Sequence, residues 1–222
     1  MRELYHVPLS PFCRKVRIVL KEKGLPFALT VENVWERREE FLAINPAGTV
    51  PVLIEADGTE LADSRAIVEY LQEIQPQPDL LGGTPAQRAE TRRLMAWFDE
   101  KMYREATVNI FGEKVRKRFL GLGEPDSATV RAGLANVRVH LNYIAWLVER
   151  RTWLAGDRFG LADIAAAAQF SCIDYIGDVP WSHQEGARDW YARVKSRPSF
   201  QSILDDRLPG LRPVRLYDDL DF

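Results

Sequence analysis

Ser10-Pro11-Phe12-Cys13-Arg14 puts a hydroxyl and a thiol three residues apart, with two cations following at Arg14 and Lys15. The stretch falls where an apolar strand (Leu4 to Val7) should end and a helix should begin. Unpaired backbone N–H groups at such a helix N-terminus stabilise an anion and lower the pKa of a thiol. Cys13 therefore has two readings: a reactive thiol whose pKa Arg14 or Lys15 lowers, or a small buried residue of the first helical turn. Ser64 is a second candidate, either a plain N-cap or a hydroxyl presented with the next free N–H groups to a carboxylate. Pro51 lacks an N–H and holds Val50 extended, so the Val50 backbone is free to pair. Trp35, flanked by Glu36, Arg37, Arg38, Glu39 and Glu40, suits a binding surface, unless it packs back onto a sheet. His6, His140 and His183 are dispersed without ligand spacing, and no metal site is expected. Cys172, in an alanine-rich apolar run, reads as core.

The elements that must position these residues follow from patterning. Through residue 75 the order is β-α-β-α-β-β-α: strands at Leu4–Val7, Phe27–Val31 and Val50–Glu55, then a turn at Ala56–Thr59 leading to Glu60-Leu61, with helices at Arg14–Lys23, Val34–Ile44 and from Ser64. That is a small α/β domain with a mixed sheet. A Pro- and Gly-rich stretch follows, after which strand signals vanish. Ala86–Leu120 reads as one long helix, straight or bent, Ser127–Arg151 as a second, Leu161–Ile176 as a buried one, and Ala187–Arg197 as amphipathic. The resulting division is 1–76, a linker at 77–87, an all-helical domain over 88–208, and an extended tail over 209–222. In the tail, Leu216-Tyr217-Asp218-Asp219-Leu220-Asp221-Phe222 alternates acidic and apolar residues, the pattern of a peptide that docks onto a partner, although a frayed terminus is the commoner case.

The chain has 222 residues and a net charge of -2, without the basic excess of a nucleic-acid binder. Two cysteines are too few for a disulfide scaffold and fit a reducing compartment. With no signal-peptide pattern and no apolar run of membrane-spanning length, a cytoplasmic protein without membrane insertion is expected. The run Lys114–Arg118 reads as a solvated face.

The turn at residues 10–13 has the spacing of a thioredoxin-type Cys-x-x-Cys motif with serine first. With Asn45-Pro46-Ala47-Gly48-Thr49-Val50-Pro51-Val52-Leu53, Asp63-Ser64-Arg65-Ala66-Ile67 and Leu161-Ala162-Asp163, the chain resembles the cytosolic glutathione transferases. The resemblance implies an α/β thioredoxin-like N-terminal domain, an all-α C-terminal domain and a homodimer. It implies a cis Val50–Pro51 bond, with the Val50 backbone pairing the cysteinyl part of glutathione. Ser64 would take the γ-glutamyl α-carboxylate and Asp63 its ammonium, although the family more often has the longer Glu or Gln there. Ser10 matches a catalytic serine that stabilises the glutathione thiolate, and Cys13 matches the cysteine of beta-class bacterial enzymes. Tyr5, near the tyrosine of other classes, lies on a strand and reads as core. An apolar electrophile would meet Tyr103, Asn109 and Phe111. Gly160 stands where the family usually has a Ser or Thr cap.

Trp35-Glu36-Arg37-Arg38, Trp146–Arg151, Gly177–Trp181 and Asp219–Phe222 are further similar to a narrower group, the glutathione-transferase-like cell-division proteins of alphaproteobacteria. That likeness implies a protein that binds the tubulin-like FtsZ, through Trp35, Arg37, Arg38, Tyr217, Leu220 and Phe222, and that need not catalyse. The other reading is an active transferase using Ser10 and Cys13. A thiol–disulfide exchanger on Cys13 is disfavoured because Ser10 removes the second thiol.

Overall fold

The computed structural model describes residues 1–220. Strand β1 (Arg2–His6) lies inside a four-stranded sheet of order β2-β1-β3-β4, with β2 at Phe27–Val31, β3 at Val52–Ile54 and β4 at Glu60–Ala62. β1 and β2 run parallel, joined by α1 (Pro11–Glu22), while β3 and β4 are antiparallel to their neighbours. The mixed sheet expected from the alternation is present. Helix α1 begins at Pro11, earlier than its charge pattern suggests, because proline at N1 has no N–H to satisfy and a preset φ. Gly24, with φ +64, lets the chain turn off its end.

The predicted helix over 34–44 is broken. A 3-10 turn covers Val34–Glu36 and α2 covers Glu39–Ile44, with Arg37 between them in the left-handed region at φ 48. Helix α3 spans Ser64–Ile74.

The helical part starts at α4 (Pro85–Ala96), capped by a reciprocal Thr84–Gln87 box. It continues without a break as a π-type segment, Trp97–Arg116, and ends in α5 (Lys117–Phe119). The inward residues Phe98, Met102, Ala106, Ile110 and Val115 recur at four- and five-residue steps, the wider repeat of i→i+5 pairing. Helix α7 (Leu161–Tyr175), every residue of which is buried, is enclosed by the π-type segment, α1, α4 and α8 (Glu185–Lys195), while α6 (Ser127–Val148) packs on the π-type segment and α8, and α9 (Pro198–Leu204) on α1 and α8. A helix apolar nearly all round has to be central. Its Asp163 carboxylate accepts from the backbone N–H groups of Leu154 (3.0 Å) and Gly160 (3.1 Å) and from the Trp190 indole (2.8 Å).

At Gly160 a Cβ would come within 2.5 Å of the Leu80 carbonyl oxygen, and that carbonyl accepts from the Leu161 N–H at 2.8 Å. A serine cap does not fit here, and the preceding connection supplies the cap instead.

The last segment is not extended throughout. Leu208 and Leu211 form a bridge, Arg215–Tyr217 makes a 3-10 turn, and Val214 donates to the Tyr175 carbonyl at 3.0 Å. Among the described residues no helix is long and apolar enough to cross a membrane.

Candidate functional site

The sheet register brings three turns to one edge. Tyr5 faces Val52 and Val52 faces Ala62 across antiparallel ladders. The end of β1, the start of β3 and the end of β4 therefore lie side by side, and from them emerge Ser10, Val50 and Asp63-Ser64 respectively. Each of the three brings polar capacity that the fold leaves unused. Ser10 caps α1, its Oγ accepting from the Cys13 N–H at 3.4 Å, which leaves its own proton to donate. Val50 joins Pro51 through a cis peptide bond, and among the described residues neither its N–H nor its carbonyl has a hydrogen-bond partner. Ser64 is buried, and its hydroxyl makes no hydrogen bond among the described residues. A donor hydroxyl, an unpaired extended peptide unit and a buried hydroxyl at a helix start suit a thiol-bearing peptide with a free carboxylate. These residues fit glutathione.

Asp63 differs from expectation. Its carboxylate, not the Ser64 hydroxyl, caps α3, accepting from Arg65 N at 2.7 Å and Ala66 N at 3.3 Å, with the backbone at φ 72. A short acid reaches its own helix's N–H groups, so Ser64 moves into the first turn as a buried residue.

Cys13 faces away from this edge. It is wholly buried, and burial pushes its thiol up to about 11, outweighing the Ser10 contact. Neither neighbouring cation activates it. Arg14 points into the helical domain, donating to Asp206, Ser171, Ile203 and Tyr217, and Lys15 is paired with Asp99. Of its two readings, the small buried residue describes Cys13. Cys172 is buried as well, its thiol donating to the Leu9 carbonyl at 3.0 Å.

Beside this edge Phe12 of α1 meets Tyr103 of the π-type segment edge-on at 4.8 Å. Of the expected electrophile contacts, Tyr103 therefore lies next to the first turn of α1, but Asn109 bonds the Glu105 carbonyl and lies against Gly133 of α6, and Phe111 packs on the core.

Trp35 is 40% exposed and meets Phe119 of α5, itself 48% exposed, edge-on with ring centroids 5.4 Å apart. The aromatic pair bridges the two domains at the rim. Arg37 and Arg38 are both exposed there, and Arg38 is also tied to the buried carboxylate of Glu32 at 2.6 Å. No local signal couples Trp35 to Phe119, because the contact spans 84 positions and exists only once the domains meet. In the tail, Tyr217 is a correction: it is wholly buried against Arg14 and Tyr175 and offers no surface to a partner. Leu220 is half-buried on the core, and Phe222 lies outside the described residues. Among the described residues, no group of three His, Cys, Asp or Glu is placed to hold a metal ion.

A sheet edge with these three turns, and an all-helical domain closing over it, is the glutathione transferase arrangement. Residues 4–79 match the glutathione S-transferase N-terminal domain and residues 110–198 the C-terminal domain, and the chain belongs to the glutathione S-transferase family. Within that family it is 49% identical over 224 residues to FtsZ-localized protein A of Caulobacter vibrioides, covering 100% of this chain and 98% of that one. The crystal structure of a glutathione S-transferase from Rhodospirillum rubrum superposes with a TM-score of 0.98 at 55% identity, with both chains fully covered. The structure of FzlA from C. crescentus gives 0.97 at 49% identity, covering 100% of this chain and 99% of that one.

Proposed function

We propose that this protein is a cytoplasmic, homodimeric cell-division factor that binds FtsZ through a surface built on the transferase fold. The observation that carries the reading is the likeness to FtsZ-localized protein A along the entire chain, at 49% identity. Trp35 supports it, since a half-exposed tryptophan at a domain junction is the residue type that dominates protein interfaces. For the homodimer, α6 exposes Val139 (52%) and Trp146 (47%) beside Arg138 and Asn142, with Trp146 stacked on Tyr143, a mixed surface of the kind partners bury. Co-sedimentation with FtsZ filaments tests the reading. The native chain should pellet with filaments and Trp35→Ala should pellet much less; failure of the native chain to pellet at tens of micromolar overturns it.

A second reading is favoured by the sheet edge. Ser10, Val50 and Ser64 keep the unused hydrogen-bonding capacity that glutathione requires, which supports a transferase activity acting through the Ser10 hydroxyl. Calorimetry with millimolar glutathione is the measurement. Heat that disappears in Ser64→Ala supports this reading, and no heat from the native chain removes it.

A further inference from the structure

The turn that delivers Ser10 is strained, and it is held from the other domain. Val7-Pro8-Leu9-Ser10 closes on itself through the Ser10 N–H, which donates to the Val7 carbonyl at 3.2 Å. Pro8 takes the second position, and Leu9 takes the third with φ 60. A turn with proline second and a positive φ third ordinarily carries glycine there, because a Cβ is costly in that region. A leucine stays in it only when its surroundings hold it. Two contacts do so. The Leu9 side chain is buried in the core, and the Leu9 carbonyl accepts from the Cys172 thiol of α7 at 3.0 Å. Burial pushes that thiol up to about 11, so it keeps its proton and stays a donor across the neutral range. Its other contact, with the Ala168 carbonyl of its own helix, is longer at 3.5 Å.

Beyond Ser10 the same helix takes a second hold, where Ser171 Oγ accepts from Arg14 Nη1 at 2.8 Å. Consecutive residues of α7 thus grip the chain one residue before Ser10 and four residues after it. The Ser10 carbonyl accepts from the Arg14 N–H at 2.9 Å. The backbone of Ser10 is therefore fixed at its N–H and at its carbonyl, and its hydroxyl proton is what remains unspent.

We infer that Cys172 is a positioning residue for the Ser10 hydroxyl: from the helical domain it holds Leu9 in its strained conformation, and so aims a hydroxyl that belongs to the first domain. This rests on the transferase reading for what the hydroxyl serves, but not for the brace itself. Without the thiol, Leu9 relaxes towards the ordinary negative φ and carries Ser10 with it. A hydrogen bond to a thiolate depends on where the donor points, so the brace acts on the ionisation of glutathione sulfur rather than on the hold on the tripeptide.

Two substitutions read the brace: Cys172→Ala removes the donor and Cys172→Ser keeps one. The Ser10 amide closes the strained turn, and the Cys13 amide donates to Ser10 Oγ. In Cys172→Ala both should exchange with deuterated water about tenfold faster than in the native chain, while amides of β1 and α7 keep native rates. Cys172→Ser should restore the protection. Cys172→Ala should still take up glutathione with near-native affinity, because Val50 and Ser64 stand on other turns. The bound tripeptide should nonetheless carry about tenfold less thiolate at neutral pH, read from its ultraviolet absorbance, and Cys172→Ser should recover it. Unchanged exchange at Ser10 and Cys13 in Cys172→Ala overturns the brace. So does equal acceleration throughout β1 and α7, the mark of a general loss of stability, and so does a Cys172→Ser variant that behaves as Cys172→Ala does. Faster exchange with undiminished thiolate overturns the positioning of the hydroxyl. If the native chain takes up no glutathione, the transferase reading falls, and amide exchange alone decides the brace.

Discussion

Ser10 and Arg14 open the same helix and face opposite worlds. On the cleft side, Ser10, Val50 and Ser64 carry donors or acceptors that the fold leaves unspent. On the buried side, Cys13 is shielded and Arg14 uses its fork on four acceptors. A buried polar group whose bonds are all made stabilises the structure, whereas polar capacity left open near a groove is what a ligand can complete. By that criterion the sequence motif divides: its hydroxyl keeps a proton that the fold does not use, and its thiol and guanidinium belong to the scaffold.

The largest effect expected from this division is at Arg14. Arg14→Met should cost about 3–5 kcal/mol in urea unfolding, because it strands buried acceptors, while Ser10→Ala should cost about 1 kcal/mol or less, the worth of a long capping contact. Equal losses would erase the contrast. Next come the thiols. With Cys13 and Cys172 both pushed up to about 11 from 9.0, each carries about a hundredfold less thiolate than an ordinary cysteine near neutral pH. An aromatic disulfide reagent should therefore label neither until the chain unfolds, and fast labelling of one thiol in the native state would return Cys13 to the site.

Acid supplies a smaller effect. Burial alone would raise the Asp206 carboxyl, but Arg14 and Arg17 outweigh it and hold it below the ordinary 3.8. A carboxyl depressed in the folded state contributes its stability above the unfolded value and loses it as pH falls through the folded one, so native stability should decline as the pH drops below the ordinary carboxylate value of 3.8. Asp206→Asn should flatten that limb, and an identical acid limb in the variant would show that the buried face does not hold this charge. Smallest is Asp63. Asp63→Ala should lower the thermal midpoint by the equivalent of about 1 kcal/mol, a lost N-cap. If Asp63→Ala instead left stability untouched and abolished glutathione heat, the acid would belong to the ligand rather than the helix.

Much of the scaffold was legible because its signals are local. Gly24, Pro51, the Pro- and Gly-rich connection and the alternating elements each declare themselves within a few residues. Ser10, Val50 and Ser64 were singled out by residue type and by resemblance, whereas the strand order that sets their turns side by side is not written in the local pattern. What sequence could not show depends on distant partners. Trp35 meets Phe119 only after the domains close, and Tyr217 looks like a docking residue because an acidic and apolar alternation serves a partner's groove and the chain's own core equally well. The exposed Leu216 and the buried Tyr217 differ by the distant partners the latter finds in Arg14, Tyr175 and Lys195. Asn109 turns back to the Glu105 carbonyl of its own helix, a contact that its residue type does not announce.

The Leu80 carbonyl that seats the first N–H of α7, with no room for a Cβ at Gly160, bears on how the molecule is divisible. The central helix of the second domain is finished by an atom that precedes that domain in the chain. A fragment cut at the start of α4 would carry the whole helical bundle and still lack one fitting of its innermost member. Recombining the two halves with those of a relative would succeed only where the donor brings its own carbonyl to the same spot, so the seam visible in composition is not the seam along which the protein comes apart.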